Sequence, residues 1–338
     1  MLPIKKAVIE ICGACNYSCK MCPHSFDGGR ESSFRRMMNY EMFVDALDQL
    51  LDSEVKEIYL EGSGEPSMNR KLPQFVRAGT DRGFKMSFIT NGFWFKDELM
   101  KATVDAGLHF ARFSVTGYNP AKYNEWMKLE DQVKLYNNKK NVPEERFYTV
   151  RRHAEEAIRY IESVGSKATI GSYHLIIDNN QVKYEIDQYR KNWIDHVPGI
   201  KSSIWKMHNW SGVYDEVTWR AEKKNKRSCG RPFSPDLIVR AGGNDGKTGA
   251  VVPCCMVLGQ DSKAVLGHLS ENSIEEIWYG EAYEHLRKMH REHRFDEIDY
   301  CKNCDMLYDT PEALVWSNFD ANYNILTGGD FDMREFRK

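Results

Sequence analysis

The nine cysteines of this 338-residue chain fall into two groups, and that grouping constrains the fold more than any other feature. Cys12, Cys15, Cys19 and Cys22 sit near one end; Cys229, Cys254, Cys255, Cys301 and Cys304 lie near the other. Their number is odd, the chain is large, and Met1-Leu-Pro-Ile-Lys-Lys enters a strand-like run with no apolar core of signal-peptide length. Disulfide frameworks belong to small exported chains, whereas clustered thiols in a reducing compartment bind metal. The expectation is a soluble, cytoplasmic protein with two metal-organised loops. No stretch approaches the roughly 20 apolar residues that cross a bilayer, so no membrane partner is expected. With 49 acidic against 47 basic side chains, nothing global suggests a nucleic-acid partner either.

Between the cysteine groups the chain alternates strand-like and helix-like segments. The strand candidates are Lys6 to Cys12, Val55 to Gly62, Phe84 to Asn91, Phe110 to Gly117, Lys167 to Ile177 and Ile200 to Met207. Helical patterns such as Tyr40 to Leu51, Leu72 to Arg82, Asp97 to Ala106 and Arg151 to Val164 lie between them. Repeated βα units predict parallel strands with right-handed crossovers, closed as a barrel or left as an open doubly wound sheet. Functional loops then gather at the C-terminal strand ends. A polar segment, 128–147, reads as an insertion after the fourth strand. Beyond Cys229 a hairpin is expected from Asp236 to Arg240 and Gly249 to Val252, around the turn formers Gly242-Gly-Asn-Asp-Gly. After Ser273, with Ser273 or Asn272 as cap, one amphipathic helix carries Ile274, Ile277, Trp278, Leu286 and Met289.

Cys15-Asn-Tyr-Ser-Cys19-Lys-Met-Cys22 follows the first strand directly. Three close thiolates in one loop can grip three irons of a [4Fe–4S] cube, leaving the fourth iron open to a small molecule. A zinc site or a closed cluster with Cys12 as fourth ligand is the alternative. The C-x3-C-x2-C spacing resembles the signature of the radical S-adenosylmethionine (radical SAM) superfamily. That resemblance implies SAM on the open iron, cleaved reductively to methionine and a 5′-deoxyadenosyl radical. In place of the family's usual aromatic residue before the third cysteine stands Met21, whose thioether can make a similar face contact with adenine.

Later strand ends extend the resemblance, which spans about residues 8–207. Gly62-Ser63-Gly64-Glu65-Pro66 resembles the family's glycine–glutamate motif, implying contacts from its backbone and the Glu65 carboxylate to the SAM ammonium. Thr90-Asn91-Gly92 ends the third strand, where the family often has the same tripeptide, and Ser114-Val-Thr-Gly117 resembles its ribose-contacting segment. Taken singly, Thr90 and Ser114 read equally well as turn chemistry.

Cys229, Cys254, Cys301 and Cys304 form a second, four-thiolate set. Four cysteines suit a structural zinc ribbon as well as an iron–sulfur cluster. Gly249-x4-Cys254, Gly267-His-Leu, Ile277-Trp278 and the CxxC pair resemble the SPASM/twitch extensions of radical SAM enzymes. The resemblance implies a partial (β/α)6 radical SAM barrel over 1–215, a small twitch-type domain with one auxiliary [4Fe–4S] cluster over 216–310, and a tail over 311–338. Cys255 is left over, as a packed thiol or as a hydrogen-atom donor to a substrate radical; Cys254 is taken as the ligand on the Gly-x4-Cys spacing.

Further pocket candidates are His24, Tyr118, His174, His208, Asn209 and Trp210. The implied reaction is oxidation of a small polar substrate such as a sugar or aminocyclitol, with the auxiliary cluster as electron acceptor. A flavodoxin or ferredoxin is the expected external one-electron donor. Radical epimerisation through Cys255 and peptide maturation are the alternatives within the family, and a non-catalytic metal scaffold is the alternative outside it.

Overall fold

Neighbouring residues of one strand belong to different apolar clusters, and this period of two builds the architecture. Ala7, Ile9, Ile58 and Leu60 join the main core with Phe43, Leu47 and Phe75, whereas Val8, Ile238, Val252 and Tyr59 form a separate cluster. The computed structural model describes residues 3–25, 36–128, 143–178, 180–214, 226–242, 247–257, 262–308, 313–317 and 323–325.

Six strands pair in chain order, all parallel: β1 (Lys6–Ile9), β2 (Glu57–Leu60), β3 (Lys85–Thr90), β4 (Leu108–Ser114), β5 (Thr169–Ile176) and β6 (Lys201–Lys206). Between them run α1 (Tyr40–Leu50), α2 (Leu72–Asp81), α3 (Asp97–Asp105), α4 (Pro120–Trp126), α5 (Pro143–Ser163) and α6 (Val182–Asn192). Helix α1 shows why such segments hold. Asn39 Oδ1 caps it by accepting from Met42 N at 3.0 Å, and Phe43, Ala46, Leu47 and Leu50 repeat at helical spacing to form its buried face. Phe43 meets Phe75 of α2 edge-on, with ring centroids 4.8 Å apart.

The sheet extends past both ends of this set. Strand β7 (Asp236–Gly242) pairs parallel with β1, and β8 (Thr248–Val252) and β9 (Gly267–His268) follow antiparallel. At the other edge β10 (Ala313–Ser317) pairs antiparallel with β6, and β11 (Tyr323–Ile325) with β10. The order β11-β10-β6-β5-β4-β3-β2-β1-β7-β8-β9 leaves β1 and β6 unjoined, so the α/β sheet is an open, partial barrel.

Four features differ from expectation. The hairpin β7–β8 forms, but β7 continues the main sheet instead of standing apart in an appended module. The helix after Ser273 is two: α7 (Ile274–Trp278), closed by a capping box between Ser273 and Glu276, and α8 (Glu281–Arg291). Gly280 is extended there (φ −70°, ψ 163°) and restarts the chain as an N-cap. Helix α5 begins at Pro143, inside the segment expected as insertion, and residues 129–142 lie outside the described ones. The segment expected as a tail supplies β10 and β11.

One buried pair locks β7 to β1. Glu10, just past β1, lies 3.6 Å from Arg240 of β7, and their side chains are only 3% and 1% exposed. Glu10 Oε1 also accepts from Ala241 N at 3.1 Å, and Oε2 accepts from Ser63 N. Removing one partner of a buried pair strands the other's charge, at about 3–5 kcal/mol. Glu10→Ala should lower stability by that order, read as a lower urea midpoint; an unchanged midpoint would contradict this role.

Candidate active site

The strand ends on the C-terminal side surround one cavity of about 200 Å³. Cys15, Cys19, Met21 and Cys22 line it, as do Gly62, Ser63, Gly64, Glu65, Thr90, Asn91 and Ser114. Every residue expected to hold SAM or its cluster thus borders the same space, and Cys255 borders it too.

Close packing without side chains makes this gathering possible. A Cβ on Gly64 would stand 2.3 Å from Ala14 O and 2.4 Å from Cys12 O, so only glycine lets the cysteine loop rest on this turn. Glu65 N donates to Ala14 O at 2.7 Å, joining the two. The loop is also held from outside by the end of α4, where Lys20 N donates to Trp126 O at 2.8 Å and Tyr17 meets Tyr123 hydroxyl to hydroxyl at 3.2 Å. Arg146 of α5 backs this contact, donating to Met127 O at 3.0 Å and Asn124 Oδ1 at 2.7 Å.

Glu65, which borders the cavity, is also tied into the protein around it. Its Oε1 accepts from Ser67 N (3.0 Å), Ser67 Oγ (2.6 Å) and Thr90 Oγ1 (2.6 Å), and its Oε2 from Asn91 N (2.6 Å). Three of these donors share Oε1 and only Asn91 N reaches Oε2, so Glu65 fastens the Thr90-Asn91 turn to the glycine turn and keeps acceptor capacity on Oε2. Burial raises its pKa although all four hydrogen bonds oppose the shift. Thr90 Oγ1 is likewise occupied, accepting from Gly92 N at 2.9 Å while donating to Glu65.

Burial also governs the thiols. It holds Cys15 and Cys19 well above the ordinary thiol range, with added repulsion among the neighbouring cysteines, and pushes Cys22 up to about 11. Such thiols carry protons until a cationic centre takes them as thiolates. Cys12 stands apart: its Sγ donates to Ala14 O at 3.3 Å, and the leading charges acting on it are those of Glu10 and Glu65. Among the described residues no three His, Cys, Asp or Glu side chains converge on a single-ion site.

The second set gathers as well. Cys301 feels Cys254, Cys304 and Cys229, and Cys304 feels Cys254 and Cys229. Cys255 belongs elsewhere: Arg231 Nη1 donates to its Sγ at 3.4 Å, and its other charged neighbours include Glu61 and Arg240 of the cavity. Adjacent cysteines therefore serve two places, Cys254 the far thiol group and Cys255 the cavity.

A further clamp joins these places. Asn209, after β6, donates from its N to Asp305 Oδ2 (2.8 Å) and from Nδ2 to Asn303 O (2.7 Å), and it accepts from Asp305 N (3.1 Å). Trp210 and Ser211 follow in the left-handed region, at φ 48° and 61°, which non-glycine residues adopt only under constraint. His208 and Trp210 line the cavity. The other pocket candidates do not. His174 is fully buried, bonded to Glu185 Oε1 at 2.7 Å and stacked on Tyr189, and Asn209 holds the CxxC loop. Tyr118 packs edge-on against Tyr184, and His24 is buried outside the cavity lining. Glu61, Arg112, Tyr173, Trp205 and Arg240 line the cavity without having been anticipated.

The separation of Cys254 from Cys255 is testable by counting iron after anaerobic purification. With two [4Fe–4S] clusters, about eight irons per chain should fall to about four in Cys254→Ala and stay near eight in Cys255→Ala. The reverse pattern would exchange the two roles.

Two family models match the chain: the radical SAM superfamily over residues 9–181, just over half of its length, and an iron–sulfur cluster-binding domain, SPASM, over 246–305. The tungsten-containing aldehyde ferredoxin oxidoreductase cofactor-modifying protein of Pyrococcus furiosus is 26% identical over 349 residues, covering 93% of this chain and 92% of that protein. The S-adenosyl-L-methionine-dependent 2-deoxy-scyllo-inosamine dehydrogenase of Niallia circulans is 24% identical over 299 residues, covering 88% and 91%. Among solved structures, SuiB of Streptococcus suis bound to its precursor peptide SuiA aligns with a TM-score of 0.57 at 15% identity, over 91% of this chain and 71% of that one. BtrN in complex with AdoMet and 2-DOIA aligns with a TM-score of 0.52 at 17% identity, over 89% and 93%. These likenesses to solved structures show a shared fold. The matched domains imply SAM, a [4Fe–4S] cluster and auxiliary iron–sulfur binding. Among the described residues, no helix is long and apolar enough to cross a membrane. The chain belongs to the radical SAM superfamily and carries a SPASM iron–sulfur domain toward its C-terminus.

Proposed function

We propose that this enzyme is a radical SAM oxidoreductase that takes two electrons and two protons from an alcohol or amine carbon of a small polar substrate. The observation that carries this reading is the Cys254-Cys255 step, which brings the second thiol group within one residue of the cavity. When bound, SAM and its cluster supply hydrogen-atom abstraction from an unactivated C–H bond, and one auxiliary [4Fe–4S] cluster supplies an acceptor for the remaining electron while an O–H or N–H proton leaves. Cys15, Cys19 and Cys22 would hold the first cluster, and Cys229, Cys254, Cys301 and Cys304 the second. Backbone groups of Gly62 to Gly64, with Met21, Asn91 and Ser114, border the space SAM would fill. Met127, Leu175, Trp205 and Trp210 give the same space apolar walls. The Asn209 hydrogen bonds to Asp305 and Asn303 hold the cavity rim against the CxxC loop, fixing the distance an electron would cross. A flavodoxin- or ferredoxin-type protein in the cytoplasm would supply the initiating electron.

The 24%-identical dehydrogenase supports this reading, and its named substrate, 2-deoxy-scyllo-inosamine, is the first compound to try. The position of Cys255 in the cavity lining supports a second reading, in which its thiol returns a hydrogen atom and the substrate is epimerised without net oxidation. The structural neighbour bound to a precursor peptide makes a peptide the alternative substrate class.

Oxidation predicts one 5′-deoxyadenosine per product and a product two hydrogens lighter than the substrate. Cys254→Ala should still cleave SAM but lose product at least about tenfold. A product of unchanged mass that gains deuterium in D2O, and loses it in Cys255→Ala, would replace oxidation with epimerisation.

A further inference from the structure

Two opposite charges line the cavity without pairing among the described residues. Glu61 follows β2 and Arg112 lies on β4, two residues before Ser114. Both line the cavity, and Glu61 Oε2 and Arg112 Nε are buried without a hydrogen-bond partner among the described residues. His208 Nδ1 and Trp210 Nε1, which also line the cavity, are buried without a hydrogen-bond partner among the described residues. Buried polar atoms are ordinarily satisfied, so several orphans around one space mark a space built for a polar occupant.

The pair differs from its neighbour in this cavity. Glu10 and Arg240 lie 3.6 Å apart as an ion pair and bond the backbone around them, although Arg240 Nε, like Arg112 Nε, is buried without a hydrogen-bond partner among the described residues. Glu61 and Arg112 form neither an ion pair nor a side-chain hydrogen bond among the described residues. Aromatic rings hold the guanidinium instead, with its carbon 4.9 Å from the Tyr173 ring centroid and 5.1 Å from that of Trp205. A guanidinium resting over neighbouring rings, whose centroids are 6.0 Å apart, keeps N–H groups free for an acceptor. Both charges act on the same two phenols, Tyr59 and Tyr173, so they stand around one part of the barrel interior. The strand period also turns Arg112 and Ser114 the same way, with Arg112 one step deeper.

We propose that Glu61 and Arg112 form a two-headed substrate subsite. Arg112 holds an anionic group, carboxylate or phosphate, and Glu61 holds an ammonium or hydroxyl group of the same small molecule. This rests on the reading of the cavity as a site for a small polar substrate, and narrows that class to compounds carrying an acid group beside an amine or polyol.

The test is calorimetric binding to the anaerobic holoenzyme loaded with SAM. The probes are myo-inositol, glucosamine, glucuronate, 2-amino-2-deoxyglucuronate and glucosamine 6-phosphate. The two doubly charged probes should bind at least about tenfold more tightly than inositol, and their order separates carboxylate from phosphate. Arg112→Gln should remove the advantage of the acid-bearing probes while glucosamine keeps its affinity, and Glu61→Gln should do the opposite. Iron content and SAM binding check that each variant is intact, with Arg112→Lys and Glu61→Asp as replacements where one is not. The proposal is overturned if no charged probe outperforms inositol, or if each substitution weakens all probes alike. Failure of the oxidation reading would appear separately, in product mass, whatever the probe preference.

Discussion

The carboxylate of Glu65 is the knot to which the rest of the site is tied. It sits in the turn after β2, it is buried, and it binds Ser67, Thr90 and Asn91 at 2.6–3.0 Å. Through Asn91 the turn reaches Asn16 of the cysteine loop, whose Oδ1 accepts from Asn91 Nδ2 at 2.8 Å. Gly64, lacking a Cβ, lets Ala14 and Cys12 settle against the same turn. Three strand ends are thus fixed to one anion in a place that disfavours charge. Loops would otherwise be the most mobile parts of a βα fold; here they are braced by charge-assisted hydrogen bonds.

The second half of the chain turns on contact rather than distance. Strand β7 completes the sheet beside β1, and the Glu10–Arg240 pair ties the glycine turn, β1 and β7 together. After β8, Cys254 lies with Cys229, Cys301 and Cys304 while Cys255 lines the cavity, both beside Arg231. Asn209 fastens the loop after β6 to the CxxC pair, so both edges of the parallel set meet the second thiol group.

Much of this could be read from the chain because its signals are local. The six parallel strands announce themselves by β-branched and aromatic runs ending in turn residues, and the cysteine loop by spacing alone. What escaped depends on contacts distant in sequence. Arg112 in Phe110-Ala-Arg-Phe113 and Arg240 in Leu237-Ile-Val-Arg240 are charges inside apolar strands. That is a usable sign of an interior polar site, but which face is interior is settled only by strand register. His174 looked like a pocket residue because it is near a strand end; Glu185, which binds it, lies on the next helix. The hydrogen bonds of Glu65 to Ser67, Thr90 and Asn91 likewise arise only in the folded turn. The pairing of β7 with β1 joins segments more than two hundred residues apart, beyond any local pattern.

The central claim is that the Cys15-Cys19-Cys22 loop and the strand ends around it form a SAM-cleaving centre. The most direct measurement is 5′-deoxyadenosine formation by the anaerobically reconstituted enzyme under dithionite, with no substrate added, beside a variant with Cys15, Cys19 and Cys22 all changed to Ala. The account predicts slow release of 5′-deoxyadenosine and methionine by the parent and none by the variant, which keeps its second cluster. Parent protein loaded with both clusters that yields no 5′-deoxyadenosine, or a variant that still yields it, would contradict the account.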